Sequence, residues 1–302
     1  MTEIQRYLAE EIAEDHADGF VSRREALRRL GLLGLSGAAA ASLLAAAVAD
    51  QAKAVARKAA AVPAEPQSAV ADEAAVATRE ITFRGPGGRP LMGAWAAARR
   101  PRGGVLVIHE NRGLNDSIRA VAGRLAASGY AALAIDLLSE EGGTGSFADE
   151  FEAMAGLGAV PPSRFVADMK AGVTEIRRRL PKKNIAATGF CFGGGMAWLL
   201  LASKEARLSA AVPFYGTFPD GGNLSGARAA VLGIYAELDS RVNATRSAAR
   251  TALRKAGLKH SIVTYPGVDH AFFNPTSSRY DRAAATVAYR RMISWFDKYV
   301  AT

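Results

Sequence analysis

The chain has 302 residues, 49% hydrophobic and 22% charged, with a formal net charge of +9 and a single cysteine. One cysteine excludes an intrachain disulfide and is compatible with either an oxidising or a reducing compartment. The basic residues are dispersed with no aromatic–basic stripe, so the excess charge reads as a general attraction to anions and not as a nucleic-acid footprint.

The first 49 residues differ in kind from the rest. Ser22-Arg23-Arg24 precedes an uncharged stretch of Leu, Ala, Gly, Ser and Val from Leu30 to Ala49, closed by the small-x-small run Ala47-Val48-Ala49. The pair resembles a twin-arginine export signal, although Ala26 stands where such signals usually carry phenylalanine. Residues 1–49 are therefore expected to be a signal, with export machinery as a transient partner and a periplasmic or other extracytoplasmic destination. An uncleaved segment of this length would instead anchor the chain to a membrane. A third reading makes it an amphipathic helix lying on the enzyme. Residues 50–76, alanine-rich with Pro63 and Pro66, read as a linker.

Residues 77–302 suit one α/β domain. Ile81-Thr82-Phe83 and Leu91 to Trp95 are expected to form an antiparallel edge pair. Apolar strand runs then alternate with amphipathic helices: Gly104 to Ile108, then Ile118 to Ser128; Ala131 to Ile135, then Phe165 to Leu180 after a Ser163 cap; Ile185 to Thr188, then Met196 to Ser203. Strands at Ala210 to Phe214, Ala230 to Tyr235 and Ile262 to Tyr265 come next, with helices at Ala244 to Ala256 and Arg282 to Tyr299. This alternation predicts a mostly parallel sheet with helices on both faces.

The cysteine lies in Gly189-Phe190-Cys191-Phe192-Gly193-Gly194-Gly195, a Gly-x-nucleophile-x-Gly pattern with cysteine where a hydrolase usually carries serine. The turn would hold a thiol at a helix N-terminus, where the dipole favours negative charge. A buried structural cysteine is the alternative. In the α/β-hydrolase arrangement the acid and then the base come later in the chain. Of the four histidines, His16 and His109 precede Cys191 and His260 opens its strand, whereas His270 lies after that strand in a loop, where a base can reach the turn. Asp239 ends the preceding strand region, with Glu237 and Asp269 as competitors and a helix N-cap as its other reading. Val105 to Ile108 runs into His109-Glu110-Asn111-Arg112-Gly113, a loop that in this fold supplies one oxyanion N–H, the other coming from Phe192. Glu110 then falls near Cys191, unless Glu110 and Arg112 are a solvated pair.

These segments, with Pro213-Phe214-Tyr215-Gly216 and Tyr265-Pro266-Gly267, resemble the dienelactone hydrolase (carboxymethylenebutenolidase) family of the α/β-hydrolase superfamily over about residues 77–301. The resemblance implies a Cys191–His270–Asp239 triad, Phe192 and Asn111 as oxyanion donors, and Glu110 paired with the resting thiol and helping to deprotonate it. Arg112 and Tyr215 are the candidate substrate-binding residues. The family's substrate-holding arginine shortly after the catalytic histidine has no match before Arg279. The expected activity is hydrolysis of a small ester or lactone, with no cofactor and no metal. A thioesterase or peptidase of the same fold, or a ligand-binding or redox-sensing scaffold, are the alternatives; the absence of a second cysteine disfavours a disulfide switch.

Overall fold

Every residue of β3 (Gly103–Ile108), β4 (Tyr130–Ile135) and β5 (Ile185–Phe190) is buried. Successive side chains of a strand point to opposite faces, so such strands must be covered on both sides. The computed structural model, which describes residues 1–60 and 75–301, provides that cover. Its eight-stranded sheet adds β1 (Arg79–Arg84), β2 (Pro90–Ala96), β6 (Leu208–Phe214), β7 (Ala230–Ala236) and β8 (His260–Tyr265), in the order β1-β2-β4-β3-β5-β6-β7-β8. From β4 to β8 all pairs are parallel, while β1 and β2 pair antiparallel at one edge as expected. This is the α/β-hydrolase architecture.

Helices α1 (Glu3–Ala17), α2 (Arg23–Leu32) and α3 (Gly37–Ala60) precede the sheet. Within it come α4 (Asp116–Ala127), α5 (Glu150–Ala159), α6 (Pro162–Arg179), α7 (Phe192–Ala202), α8 (Ser240–Lys255) and α9 (Arg282–Tyr299). Helix α6 buries Phe165, Met169, Val173 and Ile176, a stripe at three- and four-residue spacing. Several starts differ from the sequence expectation: α4 begins two residues early at Asp116 and α8 four residues early at Ser240, after its Asp239 cap. Ser163 is not the cap of α6: the helix begins at Pro162, whose fixed φ suits a first helical position. Helix α7 begins at Phe192 and not at Met196, because glycines 193 to 195 can be helical where strand and helix must nearly touch. Helix α5, capped by Asp149, escaped the sequence reading.

The N-terminal segment packs on the domain. Helix α1 opens with a Thr2–Gln5 capping box and buries Ile4, Tyr7, Leu8, Ala9, Glu11, Ile12 and Ala13. The uncharged stretch from Leu30 to Ala49 is divided between α2, a turn and α3, and no helix among the described residues is long and apolar enough to cross a membrane. Of the expected linker, residues 50–60 continue α3 and residues 61–74 lie outside the described residues.

Candidate active site

In a parallel sheet all strands finish at one edge, and the crevice beyond it collects the loops and turns into which they run. Here that edge gathers Glu110 and Asn111 after β3, Cys191 after β5, Asp239 after β7 and His270 after β8. Cys191 joins β5 directly to α7 with φ 56° and ψ −119°, a conformation that costs a non-glycine residue about 1–3 kcal/mol. The glycines make the turn possible. A Cβ on Gly189 would lie 2.0 Å from the Gly193 carbonyl oxygen, and one on Gly193 would lie 2.3 Å from that of Ile108. The Cys191 N–H donates to the Phe214 carbonyl at 3.2 Å, tying the strained residue to β6.

His270 and Asp239 meet as the sequence suggests, with Nδ1 and Oδ2 2.6 Å apart and both residues buried. Asp239 makes two contacts at once: Oδ2 faces His270 while Oδ1 accepts the Val242 N–H at 3.0 Å and caps α8. The competitors are engaged elsewhere. Glu237 accepts the Gly267 N–H, Asp269 accepts the His270 N–H, and His260 bonds the Leu258 carbonyl at the opposite end of the sheet. His109 is buried between the Glu110 carbonyl (2.6 Å) and the Leu137 N–H (3.1 Å), so it fixes the loop that carries Glu110.

Phe192 and Asn111, the expected oxyanion donors, are both buried, and Phe192, as the first residue of α7, has no intrahelical acceptor for its N–H. Arg112 lines a cavity of about 300 Å³ shared with Asn111, Cys191 and His270, and is paired with Glu150 at 2.9 Å and Asp15 at 3.6 Å. Tyr215 lies behind the site: fully buried, it sets its ring edge-on to His270 with centroids 5.0 Å apart. Glu110 is buried, but its bonded partner is Asn274 Nδ2 at 2.5 Å, and Oε1 has no hydrogen-bond partner among the described residues.

The thiol's own neighbours come from α1. Tyr7 Oη lies 3.1 Å from Cys191 Sγ and Glu11 Oε2 lies 3.6 Å from it, while Glu11 Oε1 is 3.6 Å from His270 Nε2. Burial, then the Glu11 charge, pushes the thiol up to about 11 against the opposing pull of His270, so the helix dipole does not decide its protonation. Burial works against a charged His270, but Glu11, Asp239 and Cys191 outweigh it and hold the imidazole well above its ordinary value. Burial raises the Glu110 carboxyl to about 7. Cys191 Sγ, His270 Nε2 and a Glu11 oxygen lie within 4.8 Å of one another, a donor set of the kind zinc takes. Arg241 already supplies a positive charge to that carboxylate.

Sequence reasoning missed Tyr7 and Glu11. The available signal was a capped, amphipathic α1 with a phenol and a carboxylate on its apolar face at four-residue spacing. It also left Arg279 unplaced, although this arginine lines the cavity and pairs with Asp18 at the end of α1.

Comparison with known proteins agrees with this architecture. A provisionally named carboxymethylenebutenolidase of Escherichia coli O157:H7 is 34% identical over 208 residues, covering 65% of this chain and 76% of the relative. A likewise named protein of Salmonella typhi is 34% identical over 65% of this chain and 77% of its own length. A crystal structure of a provisionally named dienelactone hydrolase from Klebsiella pneumoniae superposes with a TM-score of 0.63 at 29% identity, covering 74% of this chain and 100% of the other. Residues 92–300 match the model of the dienelactone hydrolase family. With the sheet, the strained cysteine turn and these relatives in agreement, the chain belongs to the dienelactone hydrolase family and is a hydrolase of ester or lactone bonds.

Proposed function

We propose that the protein hydrolyses a small ester or lactone, carboxymethylenebutenolidase-like, through an acyl-enzyme on Cys191. The observation that carries this is a thiol on a strained strand-to-helix turn beside a histidine held 2.6 Å from a buried aspartate. A carboxyl raised to about 7 is half ionised at neutral pH, so Glu110 can accept the thiol proton as substrate enters. The thiolate attacks the carbonyl carbon, forming a C–S bond. The N–H groups of Phe192 and Asn111 are assigned to the oxyanion, one such donor being worth about 3–4 kcal/mol. His270, protonated at rest and oriented by Asp239, gives its proton to the departing alkoxide oxygen. Water, deprotonated by the now neutral His270, cleaves the thioester, and the released thiolate takes its proton back from Glu110.

The test is intact mass after mixing the protein with p-nitrophenyl acetate. An acetyl adduct that forms on Cys191 and decays with release of acetate supports the reading. Cys191→Ala, which removes the thiol without disturbing the sheet, should show neither adduct nor turnover; hydrolysis at the wild-type rate by that variant rejects the assignment. A redox-sensing role is disfavoured, because a buried thiol with a pKa of about 11 carries little thiolate to oxidise.

Residues 1–49 are assigned to twin-arginine export, with the export machinery as a transient partner and an extracytoplasmic destination. Supporting this, Arg23 and Arg24 are solvent-exposed at the start of α2, where a receptor can read them.

A further inference from the structure

We propose that helix α1 is a seal built into the chain, holding the active site closed by placing Tyr7 and Glu11 where substrate must bind, so that hydrolysis requires α1 to leave. The activity it controls is the hydrolase reading above; the closure itself stands on separate observations.

The Glu11 carboxylate sits between the two groups that must act on a substrate carbonyl, with one oxygen 3.6 Å from Cys191 Sγ and the other 3.6 Å from His270 Nε2. A planar carboxylate there has the size and shape of the ester group it excludes. Tyr7 covers the sulfur from the preceding turn of the helix and leaves Cys191 3% exposed. Ile4, Leu8 and Ile12 seat the helix through an apolar stripe.

Charges fasten it. Glu11 and Glu14 pair with Arg241, the latter at 2.9 Å; Asp15 pairs with Arg112; Asp18 pairs with Arg279. The three arginines come from three separate places in the chain, the loop after β3, the first turn of α8 and the loop before α9, and Arg112 and Arg279 line the cavity that holds Cys191. With Glu10, whose carboxylate lies 4.0 Å from Arg241, five acidic residues of α1 and its C-cap thus meet these three arginines.

Helix α1 is not part of the shared catalytic apparatus. The family match begins at residue 92, and 74% of this chain covers the whole of the related Klebsiella pneumoniae structure. A group inside the reaction centre but outside the shared fold is placed to regulate it. Cleavage after Ala49, as in the export reading, would carry α1 away with the twin arginine and open the site.

The experiment uses the full chain. Leu8→Asp puts a charge on the buried face of α1, and Asp18→Arg sets a repulsion against Arg279; circular dichroism checks that each variant is folded. Iodoacetamide modification of Cys191, with intact mass read at pH 8, reports closure without reference to hydrolysis. A thiol released from a pKa of about 11 to an ordinary one gains on the order of a hundredfold in thiolate at that pH, before any gain in access. Both variants should react at least that much faster than wild type and hydrolyse p-nitrophenyl acetate faster. Adding Arg279→Asp to Asp18→Arg should restore slow alkylation. Equal alkylation rates in wild type and both variants overturn the seal. So does faster alkylation with loss of a turnover that wild type possesses, since α1 would then supply groups the reaction needs. Faster alkylation with no turnover in any form upholds the seal and rejects the hydrolytic role.

Discussion

Glu110→Gln tests the least ordinary charge in the site. In the unfolded chain this carboxyl titrates near 4.5, and burial in the fold raises it to about 7. The native state therefore holds the proton more tightly than the unfolded state. The associated stability is present in full below about 4.5, declines as pH rises towards 7, and is gone above it. The gap corresponds to about 3 kcal/mol by the usual conversion, of which about 2–3 kcal/mol falls between pH 5 and pH 8. Glutamine keeps the shape and can still accept the Asn274 hydrogen bond, but it has no charge to bury. Whatever fixed cost the amide carries, the variant should gain about 2–3 kcal/mol on wild type between pH 5 and pH 8, measured by urea denaturation with linear extrapolation. Other titrating groups, such as Asp15, raised by burial to about 6, are common to both proteins and cancel. The chemistry should move in opposite senses: faster alkylation of Cys191, because a charge opposing the thiolate is gone, and slower ester turnover, because a proton acceptor is gone. A stability difference that is flat from pH 5 to pH 8 would refute the reasoning and make Glu110 an ordinary solvated carboxyl.

Three further outcomes are expected. Asp239→Asn should leave the melting temperature within a few degrees of wild type, since asparagine caps helices as well as aspartate, while turnover falls by about ten-thousandfold for want of the charge behind His270; loss of both fold and activity would mean that the cap dominates. Gly193→Ala drives a methyl group to 2.3 Å from the Ile108 carbonyl and 2.5 Å from that of His109, so calorimetry should show a loss of about 1–3 kcal/mol, and an unchanged melting curve would contradict the close approach of α7 to β3. Replacing Arg23 and Arg24 with lysine should retain the protein in the cytoplasm on fractionation, and undiminished export would remove the twin-arginine assignment.

Much of this protein is written locally. Apolar runs such as Val105 to Ile108 and Val231 to Ala236 are too short for helices and too uniform for surface strands, which leaves a sheet covered on both faces. Once the strands are placed, parallel pairing carries their ends to one edge, and chain order separates His270 from His260 and brings Asp239 into line. The glycines around Cys191 announce the turn because only residues without a Cβ tolerate backbones about 2 Å from where that atom would stand. What the sequence could not contain is the company Cys191 keeps. Tyr7 and Glu11 reach it across more than 170 residues of chain, and nothing near position 191 encodes them. Their arrival depends on how the apolar stripe of α1 and its carboxylates fit a surface that exists only after the sheet has formed. The same docking makes Glu11 a larger charge against the thiolate than Glu110, the neighbour that strand order suggests, and Glu110 is bonded to Asn274. Strand ends are set by local periodicity and parallel topology; the protonation of a buried thiol is set by whichever distant charges packing brings within a few ångströms.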